Sequence, residues 1–148
     1  MRVLISTIIR NRAKHVSPWA NQLQSLANVH QDTVFDLVVL ENDSNDGTKQ
    51  ALSAVEPLLK RNLNKVNIAI RNFEWPYFHS IKAEERVKYL ALARNKTLLM
   101  ADEIVGLEAY DKIISIEPDV TYSTVDVGTI IDSDLDIASG YSVLPQGM

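Results

Sequence analysis

An apolar run, Phe35-Asp36-Leu37-Val38-Val39-Leu40, stops abruptly at Glu41-Asn42-Asp43-Ser44-Asn45-Asp46-Gly47-Thr48. The run has the length and β-branched content of a buried strand. Directly after it, Leu52, Val55 and Leu59 recur at helical spacing. A buried strand that ends in carboxylates and amides and turns at once into a helix is the corner at which open α/β sheets bind ligands. Glu41, Asp43 and Asp46 crowd three acids into this corner. Their repulsion disfavours folding unless it is offset. Helix N–H groups offset ~0.3–1 kcal/mol per charge; a ligand donor or a metal offsets more. The same residue types also build an Asx-rich turn with an N-cap, so the stretch alone leaves both readings open.

The rest of the chain repeats the strand–helix alternation. Residues 3–9 are a near-continuous β-branched run ending in Arg10-Asn11-Arg12. Ser17-Pro18 reads as an N-cap followed by proline at the first helical position, with Trp19, Leu23, Leu26 and Ala27 as the apolar stripe. A second helix is expected from about Asp46 towards Arg61, kinked or ended early by Pro57. Residues 66–70 form a third strand, and Asn72-Phe73-Glu74-Trp75-Pro76-Tyr77-Phe78-His79 an aromatic loop. A long helix is predicted over 83–105 and a fourth strand over 112–116, ending in Glu117-Pro118-Asp119. A short helix at 125–131 leads to a fifth strand at 136–141. This order predicts an α/β fold, a mainly parallel sheet with helices on both faces. The strands' C-terminal ends then share one edge, which collects Arg10, Asn11, Glu41, Asn42, Asp43, Glu117 and Asp119. Nothing comparable is expected at the opposite ends.

With 148 residues the chain has the size of one domain with its own core. A net charge of −4 argues against nucleic-acid binding by backbone neutralisation. The lack of cysteine removes disulfides and thiolate metal sites. No apolar run nears the ~20 residues of a membrane span, and a strand begins at once, without room for a signal peptide. A cytoplasmic location is the expectation. Leu144-Pro145-Gln146-Gly147-Met148 reads as a connection. It suggests a C-terminal truncation, with Ile137 and Val143 part-exposed on an under-covered fifth strand, open to a missing segment or to self-association.

Two further features can carry chemistry. Pro118 holds Glu117 extended, so the Glu117 and Asp119 side chains can face one point. Two such charges ~4 Å apart cost roughly 4 kcal/mol at an effective dielectric near 20. A divalent cation removes that cost, and oxygen-only ligands suit Mg²⁺ or Mn²⁺. Solvated acids after a strand-ending proline are the alternative. In the long helix, Val87, Leu90, Ala91, Leu98, Ala101 and Val105 share a stripe with Arg94 near its middle. A buried guanidinium needs either ligand phosphates or a structural ion pair, and Asn95 can share the task. Trp75, Tyr77 and Phe78 form either a lid or a loop tucked onto the sheet edge. His15, His30 and His79 lack ligand spacing, no Ser/His/Asp arrangement is readable, and neither phosphate-binding glycine fingerprint is present.

Glu41-Asn42-Asp43-Ser44-Asn45-Asp46-Gly47-Thr48 resembles the "DDGSxDGT" segment of family 2 glycosyltransferases. It is closer to the "ENDSxDxT" of the fungal capsule-associated α-1,3-mannosyltransferases. Tyr89-Leu90-Ala91-Leu92-Ala93-Arg94-Asn95 is similar to that group's "YLAxxRN" helix, and Ile116-Glu117-Pro118-Asp119-Val120 stands at its DxD-like position. The ordered set spans about three quarters of the chain. The resemblance implies a GT-A fold, a nucleotide-diphospho-sugar donor, a glycan or other acceptor, and Mn²⁺ or Mg²⁺. By position, Arg10 and Asn11 would border the nucleotide pocket, and Glu41, Asn42 and Asp43 would address nucleobase and ribose. Arg94, with Asn95, would order the ribose-phosphate side. Glu117 and Asp119 would hold metal and ribose, with Asp119 the direct ligand. Glutamate as the first acid and proline between the two acids depart from the pattern and weaken the metal geometry it implies. The acceptor half and the catalytic base of inverting members normally lie further along, so the chain is expected to carry the donor half only.

The leading expectation is therefore a metal-dependent glycosyltransferase or its donor-binding half. A nucleotide-sugar-binding module without turnover is the alternative. A receiver-like signalling domain would need acids after the first strand, where this chain has Arg10, Asn11 and Arg12.

Overall fold

A computed structural model of the chain describes residues 1–79 and 82–140. Four strands, β1 (Arg2–Ile9), β2 (Val34–Asn42), β3 (Lys65–Arg71) and β4 (Lys112–Ser115), form one all-parallel sheet in the order β3-β2-β1-β4. The helices are α1 (Ala13–Val29), α2 (Thr48–Asn62), α3 (Glu84–Val105) and α4 (Thr124–Asp132), with a 3₁₀ turn at Leu107–Ala109.

Strand alternation sorts the side chains onto two faces. Val3, Ile5 and Ile9 of β1, with Phe35, Leu37 and Val39 of β2, pack with Trp19 and Leu23 of α1, Leu52 and Leu59 of α2, and Val127 and Ile131 of α4. Leu4, Val38 and Leu40 face the other way, towards Ala93 and Ala101 of α3. The sheet is thus covered on both faces, as the alternation predicts. None of the described helices is long and apolar enough to cross a membrane.

Several expectations are corrected. Residues 136–140 form no strand, and Tyr141 and Val143 lie outside the described residues. Ile137 is exposed, but on a bend rather than on a sheet edge; the edge strands are β3 and β4. Alternating apolar residues without a pairing partner do not make a strand. Helix α1 begins at Ala13, not at Ser17, and Pro18 lies inside it. Pro57 likewise lies inside α2, which runs on to Asn62. Both prolines are exposed, as are Lys14 and Ser53 one turn earlier. The carbonyls released by the missing N–H groups therefore reach water, and burial of Trp19, Leu23, Leu52 and Leu59 holds the helices.

The N-terminal strand edge is not bare either. Buried Asp36 accepts hydrogen bonds from Arg2 Nε and Nη2 (3.0 and 2.7 Å), Tyr110 Oη (3.0 Å), Asn64 Nδ2 (2.7 Å) and Lys65 N (3.1 Å). Burial, with the Asp36 carboxylate, pushes the Tyr110 hydroxyl up to about 12. This network ties β1, β2, β3 and the 3₁₀ turn together opposite the candidate site.

Candidate functional site

The chain lays down β1, β2 and β3 side by side in one direction, then carries β4 to the other side of β1. Beyond the carboxyl ends of β1 and β4 the order reverses, and α/β sheets open a crevice at such a point. A cavity of about 300 Å³ lies there. Its floor is Ile8, Ile9 and Arg10 at the end of β1, with Asn42 from β2; Glu117, Pro118 and Asp119 close one side. The segment after β4 is kept beside β1 because Ile116 N donates to Ser6 O (3.1 Å) and Thr7 Oγ1 donates to Ile116 O (2.8 Å).

The aromatic loop makes the opposite wall. Trp75 packs with Leu40, Ala69 and Ala93, stacks on Phe73 at 4.5 Å, and meets Tyr89 of α3 at 5.2 Å. Phe78 also approaches Tyr89, at 5.8 Å. Trp75, Tyr77, Phe78, His79 and Tyr89 all line the cavity. Two charged side chains grip the loop by its backbone. Asp43 Oδ1 accepts from Phe73 N and Glu74 N, both at 2.8 Å. Arg10 donates to the carbonyls of Trp75 (2.9 Å) and Pro76 (3.0 Å), and its guanidinium lies 5.1 Å from the centre of the Tyr77 ring. The loop is therefore tucked onto the sheet and at the same time forms the cavity wall. Asp43 adopts a left-handed backbone conformation (φ 55°) to reach it. Burial pushes the Asp43 carboxyl up, but the Asn42 amide and the loop N–H groups outweigh this and hold it below the usual carboxylate range.

The acidic corner is an interlocked turn. Glu41 is fully buried and accepts from Ser44 N (2.9 Å). Asp46 accepts from Thr48 N (2.9 Å) and from Ala13 N (3.3 Å), so it caps α1 from 33 residues away. Asn11 (φ 52°) accepts from Asn45 N (2.9 Å) and donates its own N–H to Ser44 Oγ (2.9 Å). Burial raises the Asp46 carboxyl, but the hydroxyl and N–H of Thr48 outweigh it and lower it overall. Among the nine residues that the sequence singled out, Arg10, Asn42, Arg94, Glu117 and Asp119 line the cavity. Asn11, Glu41, Asp43 and Asn95 are not in its wall.

The two carboxylates in the wall carry their own counter-ions. Arg12 Nε lies 3.1 Å from Asp119 Oδ2, and Arg94 Nη2 lies 3.3 Å from Glu117 Oε1. Burial pushes the Glu117 carboxyl up, and Arg94 offsets this only in part. The Arg94 side chain is 50% exposed, so the expected buried guanidinium is corrected. The buried stripe of α3 is Ala93, Thr97 and Ala101, whereas Val87 is exposed. Small residues let the helix approach β1 closely enough for Thr97 Oγ1 to reach Ser6 Oγ at 2.7 Å. The rotation leaves Arg94 at the helix flank, facing the cavity.

A sequence model of the family described as Cryptococcal mannosyltransferase 1 matches residues 2–143. The chain belongs to this family. No curated protein matches the sequence. The family match runs from β1 through α4 and takes in every residue of the cavity wall. Cryptococcal mannosyltransferase 1 membership gives the domain a glycosyltransferase-type role.

Sequence reasoning missed Arg12 and Arg86 in this family member's cavity. Arg12 forms its pair 107 residues along the chain, and no local spacing reports that. Arg86 did leave a signal, because Arg86, Leu90 and Arg94 recur at i, i+4 and i+8 and all three line the cavity.

Proposed function

We propose that the switch-point cavity binds a nucleotide-diphospho-sugar, and that the chain is the donor-binding catalytic half of a metal-assisted glycosyltransferase acting on a glycan acceptor. The observation that carries this reading is the composition of one wall-enclosed space. Aromatic rings stand on one side, arginines at its base and flank, and two carboxylates on the other. Rings suit a base or sugar face, and guanidinium groups suit a diphosphate.

The fit of Mn²⁺ or Mg²⁺ rests on donor chemistry. Glu117 and Asp119 offer oxygen only, the ligand type of hard cations. Among the described residues no cluster of three or more ligating side chains occurs. The two acids would therefore hold the cation together with donor phosphates and water, a common arrangement for Mg²⁺. When bound, the cation supplies charge stabilisation to the departing diphosphate. The chain's own groups perform the rest. Arg12 and Arg94 orient the carboxylates, the anchored loop excludes water, and Asn42 presents an amide to the ligand.

One observation favours the non-catalytic alternative. Both carboxylates in the wall are paired with arginines, so neither of these two stands uncommitted as a base.

Thermal unfolding with UDP-, GDP- and CDP-sugars, each with and without Mn²⁺, tests the binding reading. One nucleotide series is expected to raise the melting temperature; no response from any would overturn the reading. Donor hydrolysis by the same protein separates catalyst from module.

A further inference from the structure

We infer that Arg86 is the side chain that takes the diphosphate of the ligand. This deepens the donor-binding reading and rests on it. Four arginines line the cavity, against Glu117 and Asp119. Three of them are committed: Arg10 to the carbonyls of Trp75 and Pro76, Arg12 to Asp119, and Arg94 to Glu117. Arg86 has no ion pair or hydrogen-bonded side-chain partner among the described residues, yet it is half-buried in the same wall. A guanidinium withdrawn from water without a partner is costly, and an anionic ligand removes that cost.

The location fits the task. Arg86 is the third residue of α3, one turn before Leu90 and two turns before Arg94, on the row that faces the cavity. Ala83, the residue before α3, supplies no side-chain cap, so the first N–H groups of the helix add positive character beside Arg86. Glu84 and Glu85 offset part of this, but both are exposed and outside the cavity wall. The planar fork of arginine matches phosphate oxygens bidentately, which a lysine does not reproduce. A division of labour follows. Arg12 and Arg94 keep the acids in place, Arg10 keeps the wall in place, and Arg86 brings the charge that is still open to a ligand.

Calorimetric titration with UDP, GDP and CDP in the presence of Mg²⁺ tests this on four proteins: wild type, Arg86→Met, Arg86→Lys and Arg61→Gln. Arg61 lies in the last turn of α2, outside the cavity wall, and controls for net charge. For the diphosphate that wild type binds, Arg86→Met is expected to weaken affinity at least roughly tenfold. Arg86→Lys should fall between, and Arg61→Gln should match wild type. Affinity for the parent nucleoside should not move in Arg86→Met, and the ligand-free melting temperature should hold or rise, because no internal partner is lost and an unpartnered guanidinium is removed. Equal diphosphate affinity in wild type and Arg86→Met overturns the inference and leaves the donor reading standing. An equal loss in Arg61→Gln also overturns it. If wild type binds none of the three diphosphates, the donor reading itself has failed.

Discussion

Asp43 Oδ1 lies 2.8 Å from the backbone nitrogens of both Phe73 and Glu74. One carboxylate oxygen thereby fixes the entry of the aromatic loop to the end of β2. Asp43→Ala is expected to lower stability by about 1–3 kcal/mol, the cost of stranding two donors. Asp43→Asn keeps an acceptor oxygen and should lose less. Urea denaturation of the two variants, with hydrogen exchange read at the loop amides, checks the order. The pH dependence follows from the lowered carboxyl. Its stabilisation is fully present above the unfolded value of about 3.9 and is lost as pH falls through the lower folded value. Asp43→Ala should flatten that acid limb.

Glu117 behaves in the opposite sense. Its folded carboxyl is raised by burial. Stability therefore falls as pH rises from the unfolded value of about 4.3 through the higher folded one. Glu117→Gln should remove this fall, which urea midpoints between about pH 4 and 7 would reveal. An unchanged slope would contradict the burial of this carboxyl.

Asp119→Asn addresses the cation. With Mn²⁺ and a bound nucleoside diphosphate at ~100-fold above the dissociation constant, wild type should gain ~2.7 kcal/mol. The variant should lose most of the metal-dependent part. Equal gains in both proteins would remove Asp119 from the metal assignment.

Arg94 separates pairing from binding. Its ion pair with Glu117 is half-exposed, so Arg94→Met should cost less than about 1 kcal/mol in the ligand-free protein. Arg94→Lys should keep the charge and lose the fork. If donor affinity drops in both variants by calorimetry, Arg94 touches the ligand; if it holds in the folded fraction, the residue only places Glu117.

The far end of the sheet supplies a control. Asp36→Ala strands Arg2, Tyr110 and Asn64 together and should cost about 3 kcal/mol or more. Nucleotide affinity in the folded fraction should not change, because this network lies at the opposite strand ends.

Patterns of period two and 3.6 reported what burial dictates locally, and β1 to β4, α3 and α4 were legible in the sequence for that reason. The fifth strand was not, since alternation at residues 136–140 says nothing about whether a neighbouring strand is there to pair with. The start of α1 was hidden for a related reason. Ala13 N is capped by Asp46 and Arg12 N by the Thr48 hydroxyl, both more than thirty residues away, whereas Ser17-Pro18 offered a local signal that the fold overrides. The strand-end residues were readable as a set, but their hydrogen-bond partners in the loop were not. Asp43 and Arg10 looked like ligand contacts, and no local pattern reported that both also grip the backbone of the aromatic loop. In α3, large apolar residues dominated the reading, while the packing follows Ala93, Thr97 and Ala101 because close approach needs small side chains.

The hydrogen bonds by which Asp43 and Arg10 hold the loop go to main-chain atoms of Phe73, Glu74, Trp75 and Pro76. These bonds therefore read no side-chain identity in the loop, and the Arg10 guanidinium over the Tyr77 ring is the side-chain contact beside them. Phe78 and His79 face the cavity beside Tyr77 without contributing to these main-chain hydrogen bonds. Rings at Phe78 and His79 can therefore be exchanged while these main-chain bonds to the scaffold stay the same. A library confined to Phe78 and His79 would vary the cavity wall and leave the Arg10–Tyr77 contact in place.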